Sequence, residues 1–388
     1  FLAGQDAMTP GILGAAAGGL RAAGVMLGRD KSAALIAQIA ASANAPMRTG
    51  EPWNGFLKVT RRVQESPTVT SFILAMPDGG KLPFSWQPGQ FLTLHAPTGA
   101  RTTLRSYTIS SAPQAGETTL RLTIKAQPGG RVSNWLHAEL RETDPIEVSG
   151  PFGAFTFGPE DADRLVLIGG GVGVTPLAAI LDDLANRQAN TRVTAVFAFR
   201  TEPEVLFARD MDRWRDRIAR LDLHVVVSEP APSWTGETGR IDAAMLSRLV
   251  PDIARARVHL CGPEGMMDAV TAALSGLGVP ADAIRTEKFS ASTGHVAAPD
   301  APRISVTFAR QARTVDAAAG ATLLDIAHDA GVDIPVVFGA GRCGACRLRL
   351  VSGQVKHPKG TALTPQDVAE GFVLACQARA QSDVTVDA

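Results

Sequence analysis

Several things are scarce or missing in this chain, and each absence closes off a class of function. There is no surplus of charge, because 38 lysines and arginines meet 38 aspartates and glutamates. A broad nucleic-acid footprint needs a basic excess, so none is expected. Cysteine is rare, at four residues in 388. Three of the four, Cys343, Cys346 and Cys376, crowd the C-terminal end, and two of them form a Cys-x2-Cys. That is the spacing of metal ligands more than of a disulfide framework, and it points to a reducing, cytoplasmic compartment. No apolar run reaches the roughly 18 residues of a membrane-spanning helix. The Ala/Gly-rich stretch from Ile12 to Leu27 is broken by Arg21 and lacks a basic start, which makes it a poor signal peptide. The seven histidines are scattered, so no histidine-ligated metal is expected, and no Ser/His/Asp ordering stands out.

What is present suggests two or three domains, each with its own core. Residues 1–50 are rich in Ala and Gly, with Leu35, Ile36 and Ile39 at helical spacing in a short amphipathic helix over Lys31–Ala43. That segment reads as a helix packed on the main body or as an arm or linker toward an upstream domain. The chain begins with Phe1, as a processed product or a piece of something longer would. Residues 52–158 carry short alternating runs (Phe56–Val59, Thr68–Leu74, Gln90–His95, Thr118–Lys125) between Pro/Gly/Asp turns, the pattern of an antiparallel β-barrel or sandwich. Over 160–290, apolar strands (Leu165–Ile168, Val193–Phe199, His224–Val227, Val258–Cys261) alternate with helical stretches, which predicts an α/β doubly wound parallel sheet. Residues 291–302 read as a linker. Residues 303–388 predict strands paired around one helix, a small α+β domain.

Three sets of motifs carry chemistry, one in each domain. In the barrel, Arg105-Ser106-Tyr107-Thr108-Ile109-Ser110-Ser111 offers a guanidinium fork for a phosphate. Tyr107, two residues along the same strand face, can cover a flat heterocycle. Gly129-Gly130-Arg131-Val132-Ser133 opens a helix expected over Val132–Leu140, whose first backbone N–H groups suit a pyrophosphate. The second domain opens with Leu165-Val-Leu-Ile168-Gly169-Gly-Gly171-Val-Gly173-Val-Thr175-Pro176, an apolar strand running into a Gly-rich turn that can cradle a dinucleotide. By itself the turn is equally a tight strand–helix connection. Leu260-Cys261-Gly262-Pro263-Glu264-Gly265-Met266 places a thiol at a strand tip, where ligands sit in such sheets; a buried structural Cys is the bland reading.

The third set is incomplete. Plant-type [2Fe–2S] ferredoxins use Cys-x4-Cys-x2-Cys and a fourth Cys about 30 residues on. Cys343, Cys346 and Cys376 fall in register, but the place five before Cys343 holds Phe338, which cannot ligate iron. Three explanations stay open: loss of the cluster, with Phe338 filling its place; a labile three-thiolate cluster completed by water or a carboxylate; or a sequence artefact or unexpected ligand. Loss is favoured physically, because an iron lacking its charge-balancing thiolate is easily stripped.

Together RSYTISS, GGRVS, LIGGGVGVTP, LCGPEGMM and EKF (Glu287-Lys-Phe289), in this order, resemble the ferredoxin–NADP reductase superfamily, and the C-terminal segment resembles plant-type ferredoxin. The combination, over about residues 52–388, is similar to the one-chain reductases of Rieske-type oxygenases. The resemblance implies an FAD-binding β-barrel, an NAD(P)-binding α/β domain and a β-grasp ferredoxin-like domain. It implies FAD held by Arg105, Tyr107, Thr108 and Ser111, with Gly130, Arg131 and Ser133 at the pyrophosphate. It places NADH or NADPH on Gly170, Gly171, Val172, Thr175 and Pro176, with Cys261, Gly262, Pro263 and Met266 at the nicotinamide end and Glu287 and Phe289 closing the flavin's other face. Tyr107, Thr108, Cys261 and Glu287 would frame hydride transfer, and Cys343, Cys346 and Cys376 would be metal ligands. Arg200 could meet a 2′-phosphate and Glu202 a free 2′-hydroxyl, so the two point opposite ways on NADH against NADPH. Electrons would pass through FAD and [2Fe–2S] to an oxygenase or other acceptor protein. The alternative is a cluster-less diaphorase or oxidase-type flavoenzyme that keeps its C-terminal domain as a docking module.

Overall fold

The computed structural model describes residues 53–98, 102–114, 116–158, 163–289, 302–332, 334, 341, 346–357 and 363–388. The expected helix at 31–43, most of the 291–302 linker, Phe338 and Cys343 lie outside these. The chain divides into two compact units, Phe1–Phe289 and Ser290–Ala388.

The first unit begins with six antiparallel strands: β1 (Trp53–Ser66), β2 (Val69–Ala75), β3 (Phe91–Ala96), β4 (Thr103–Thr108), β5 (Thr119–Lys125) and β6 (Pro145–Phe152), in the order β4-β3-β6-β1-β2-β5. The sheet curls until its two ends meet at an Ile109–Leu122 bridge, supported by Ser110 N–H donating to Arg121 O at 2.7 Å. Alternation drives the curl: Leu120, Leu122 and Ile124 point inward to join Leu57, Phe72, Leu74, Leu92 and Val148 in one buried core. The short run expected at Phe56–Val59 is part of a 14-residue strand, because register shifts after Val59 and Gln64 carry β1 on along β2 without strict alternation. Helix α1 (Arg131–Glu139) starts at Gly130 and buries Val132 and Leu136, four apart and so on one face, against the barrel core.

Six parallel strands follow: β7 (Arg164–Gly170), β8 (Arg192–Phe199), β9 (Leu221–Val227), β10 (Glu237–Thr238), β11 (Arg257–Cys261) and β12 (Ile284–Glu287), ordered β10-β9-β8-β7-β11-β12. All seven residues of β7 are buried, as befits a strand covered on both faces. Leu165, Leu167, Val193 and Phe197 pack on α2 (Val174–Arg187) and α3 (Ala208–Arg217). Val166, Ile168, Val258 and Leu260 pack on α4 (Ala243–Leu249) and α5 (Glu264–Gly276). Strand order reverses between β7 and β11, which opens a crevice at their carboxyl ends. Barrel and sheet are joined at the Thr156 carbonyl, which accepts from His259 Nε2 at 3.1 Å and from Arg285 Nη1. The His259 ring lies edge-on between Phe155 and Phe157.

The second unit is a β-grasp. Strands β13 (Arg303–Phe308), β14 (Arg313–Ala318), β15 (Arg347–Ser352), β17 (Phe372–Leu374) and β19 (Val384–Val386) form a sheet ordered β14-β13-β19-β15-β17, in which only β13 and β19 run parallel. A separate pair joins β16 (Val355–Lys356) to β18 (Arg379–Ala380). Helix α6 (Leu323–Ala330) buries Leu323, Ile326, Ala327 and Ala330 in a core shared with the sheet residues Val306, Phe308, Leu374 and Val386, and a short α7 spans Pro365–Ala369. Among the described residues, no helix is long and apolar enough to cross a membrane.

Candidate functional site

The barrel brings Arg105, Tyr107 and Thr108 together on β4, where the curled sheet meets its other end. Tyr107 packs its half-buried ring against the core, and burial pushes its phenol well above the ordinary value, opposed by Arg105. The hydroxyl therefore keeps its proton at any working pH. Thr108 is buried, while Arg105 is exposed and turns one nitrogen back to Leu104 O. Ser111 is fixed twice: its carbonyl accepts from Trp86 Nε1 at 3.0 Å and its hydroxyl oxygen from Arg121 N–H at 3.0 Å. Its own O–H remains available to donate.

The Gly129–Ser133 turn differs from expectation in one side chain. Ser133 Oγ folds beneath the turn and accepts from Gln127 N–H at 3.1 Å, tying the loop shut. A Cβ on Gly130 would come within 2.5 Å of that oxygen. The helix starts one residue earlier than predicted, at Arg131, with Gly130 extended as its N-cap.

In the crevice between β7 and β11, glycines allow backbone to lie on backbone. A Cβ on Gly173 would sit 2.4 Å from Cys261 O and 2.6 Å from Gly262 Cα; one on Gly170 would sit 2.5 Å from Met266 Sδ. Gly171 takes a left-handed φ of +53° and faces open space, leaving room for a ligand beside the first turn of α2. Thr175 is buried and its Oγ1 donates to Val172 O at 2.8 Å, so it braces the turn from within. Gly170 lies against Pro263 and Met266, and Gly173 against Cys261, with Gly171 and Val172 in the turn between them; Pro176 is buried in α2.

Cys261 is fully buried at the tip of β11 and pairs in register with Glu287 on β12. Burial first, and the Glu287 carboxylate second, push its thiol well above the usual range. It is a neutral group, not a nucleophile. Phe289 ends the unit as a ring 42% exposed. Arg200, after β8, donates from Nε to Glu229 Oε2 at 3.0 Å, and Glu202 Oε1 accepts from Ala231 N–H at 3.0 Å.

In the second unit Cys346 and Cys376 are buried thiols outside any disulfide, with their sulfurs 3.1 Å apart. The hydrogen bond to Cys376 lowers Cys346 to about 7; burial opposes it and backbone N–H donors assist. Such a pocket suits thiolate ligands to iron. The chain's only other cysteine besides Cys343 is Cys261, in the other unit, so this domain has three thiols and no fourth.

One group of polar residues escaped the sequence reading. Arg121, Asp182, Asp210, Arg213 and Trp214 form a connected cluster between barrel and sheet. No local pattern marks it, since Arg121 and Asp210 stand 89 residues apart.

Profiles of three families match the chain: the oxidoreductase FAD-binding domain over residues 57–157, the oxidoreductase NAD-binding domain over 167–272, and the 2Fe-2S iron-sulfur cluster binding domain over 306–381. The stachydrine N-demethylase reductase subunit Stc4 of Rhizobium meliloti is 34% identical over 343 residues, covering 86% of this chain and 96% of that protein. The chain belongs to the ferredoxin-reductase-type flavoprotein family that carries a 2Fe-2S domain. The glycine betaine monooxygenase reductase subunit of Pseudomonas aeruginosa is 31% identical over 359 residues, covering 87% of this chain and 97% of that protein. The solved structure of phthalate dioxygenase reductase, at 23% identity, shares the fold over 86% of this chain and 98% of its own, with a TM-score of 0.62. As a member of this family the chain is an NAD(P)H-dependent oxidoreductase, with domains, in chain order, for FAD, for the nicotinamide nucleotide and for a [2Fe–2S] centre.

Proposed function

We propose that this chain is the reductase of an oxygenase system, taking electrons from NADH at the β7–β11 crevice and delivering them to a partner oxygenase in the reducing interior of the cell. The observation that carries the reading is the crevice itself, where Gly170 and Gly173 let the turn after β7 press against Cys261 and Gly262. That leaves a glycine-lined floor beside Gly171 for a pyrophosphate and a neutral wall for the nicotinamide. Bound FAD would supply the chemistry of accepting a hydride from the nicotinamide and releasing the electrons one at a time.

The chain's own residues bind and align. Within residues 52–158, Tyr107 covers the flavin ring, Thr108 and Ser111 present hydroxyls at its edge, and Arg105, Arg131 and the N–H groups from Gly130 onward take the phosphates. Ser133 holds that turn in shape. Within 160–290, Gly170, Gly171 and Val172 line the nucleotide, while Thr175 and Pro176 stiffen the helix start. Pro263, Met266 and the protonated Cys261 fix the nicotinamide without adding charge, and Glu287 and Phe289 lie toward the flavin's other face. The 291–302 segment joins these in sequence to the β-grasp over 303–388.

NADH is favoured because the Arg200 guanidinium already meets Glu229, and Glu202 and Glu204 add negative charge where a 2′-phosphate would lie. Phe338 supports a second reading for the exit: without a fourth thiolate electrons stop at the flavin, and the β-grasp serves as the oxygenase docking module. An anaerobic titration of the flavoprotein with NADH and NADPH, with iron and sulfide assays on the same sample, tests all of this. Bleaching by NADH at lower concentration than NADPH is expected. Equal bleaching removes the donor preference, and no bleaching by either removes the reading. About two irons and two sulfides per chain would restore the full relay over the flavin-terminated one.

A further inference from the structure

Resting on that reading, we propose that Arg121 is the positioning residue that locks the flavin-binding strand against the nucleotide-binding helix and so sets the distance for hydride transfer. It stands on β5 between inward-pointing Leu120 and Leu122, so its own side chain leaves the barrel. On the barrel side four hydrogen bonds hold it to the segment after Thr108. Its N–H donates to Ser111 Oγ at 3.0 Å, its carbonyl accepts from Ser110 N–H at 2.7 Å and from Ser110 Oγ at 3.1 Å, and Nη2, from the side chain, donates to Ser110 O at 2.9 Å. On the other side Nη1 donates to Asp210 Oδ2 at 2.7 Å, Nη2 lies 3.5 Å from Asp182 Oδ2, and the guanidinium stacks over the Phe207 ring at 4.7 Å.

Both carboxylates are themselves held. Asp182 Oδ1 accepts from Arg213 Nη2 at 2.6 Å and from Trp214 Nε1 at 2.7 Å, and Arg213 Nη2 also reaches Asp210 Oδ1 at 3.0 Å. Burial pushes the Asp182 carboxyl up while Arg121, Arg213 and Trp214 pull it back; in Asp210 burial is outweighed by the two arginines, and the carboxyl is held below the usual range. Two positive and two negative groups thus balance inside the joint. Asp182 lies on α2, the helix whose first turn carries Thr175 and Pro176.

A buried, balanced network of this kind contributes little net stability but admits few geometries. Only a planar fork can serve Ser110, Asp210 and Asp182 at once while stacking on a ring, so lysine is a poor substitute. Hydride transfer needs the reacting atoms about 3–3.5 Å apart, and a displacement of about 1 Å costs on the order of a hundredfold.

The test uses the full-length FAD-loaded protein with Arg121→Met, Arg121→Lys and Asp210→Asn. Stopped-flow reduction by NADH gives a limiting rate and an apparent Kd, and hydrogen exchange is followed over 119–125, 174–187 and 208–217. Arg121→Met is expected to keep its FAD and hold Kd within about threefold while the limiting rate falls by about tenfold to a hundredfold. Arg121→Lys should recover part of that rate, and exchange over 208–217 should rise with the barrel strand unchanged. An unchanged limiting rate overturns the proposal, as does a loss that follows FAD content in both Arg121→Met and Asp210→Asn. If the wild-type flavin is not reduced by NADH at all, the functional reading fails; exchange over 208–217 unmoved by Arg121→Met would still refute the clamp independently.

Discussion

Cys261 and Cys346 are buried alike, at 0% and 2% exposure, yet their thiols are driven in opposite directions. At the tip of β11, burial and the Glu287 carboxylate leave Cys261 protonated. In the β-grasp, a hydrogen bond to the neighbouring Cys376 and nearby backbone N–H groups bring Cys346 down to about 7 against the same kind of burial. Depth alone does not decide thiolate character: burial keeps Cys261 protonated, whereas hydrogen-bond donors outweigh burial at Cys346. Under the proposed function the first region supplies a neutral wall beside a nucleotide. The other is built to stabilise anionic sulfur and lacks one sulfur, at Phe338.

The largest effect should come from supplying what the second region lacks. Phe338→Cys is expected to raise iron and acid-labile sulfide to about two of each per chain and to add broad visible absorption to the flavin bands. Iron content equal to that of the wild type would mean that the contrast lies elsewhere than in the missing thiolate.

The complementary break is in the first region. Gly173→Ala drives a methyl group onto Cys261 O and Gly262 Cα, backbone atoms that have no room to yield. It should cost about 1–3 kcal/mol of stability in a thermal melt. NADH binding should weaken markedly with it, while the iron content of the β-grasp does not change.

Acid should weaken the barrel of the first region. Burial lowers His95 to about 4, so its ring is neutral in the folded chain and takes up a proton on unfolding below its ordinary value of 6.5. A depressed histidine leaves stability intact above pH 6.5 and erodes it as pH falls toward 4. Between pH 7 and 5 the loss is about 2 kcal/mol. Calorimetry should find it for the flavin-binding unit, and His95→Gln should remove most of the slope.

The smallest effect tests the ranking of causes at Cys261. Glu287→Gln removes the secondary cause and leaves burial in place, so alkylation of Cys261 in the folded protein should stay negligible up to about pH 9. Rapid labelling in that variant would show that charge, not burial, keeps the thiol inert.

Much of this was legible before the structure. The Gly129–Ser133 and Gly169–Pro176 turns announce themselves because only glycine tolerates the backbone approaches found there, and Leu120, Leu122 and Ile124 announce β5 by alternation. Strand β6 did not, because Pro145 at its start and Gly150-Pro151 near its end read as turn. Ser133 and Thr175 were expected to face ligands and instead bond to Gln127 and Val172, since residue type does not specify a rotamer. Arg121 was silent because its partners are remote in sequence and only the finished packing brings them to it.

The Thr156 carbonyl, gripped by His259 and Arg285, acquires a mechanical meaning beside the Arg121 cluster. Together with the apolar packing of Val69, Phe155 and Phe157 into the core of the parallel sheet, these two polar joints mean that any hinge motion between barrel and sheet has to break more than one kind of contact at once.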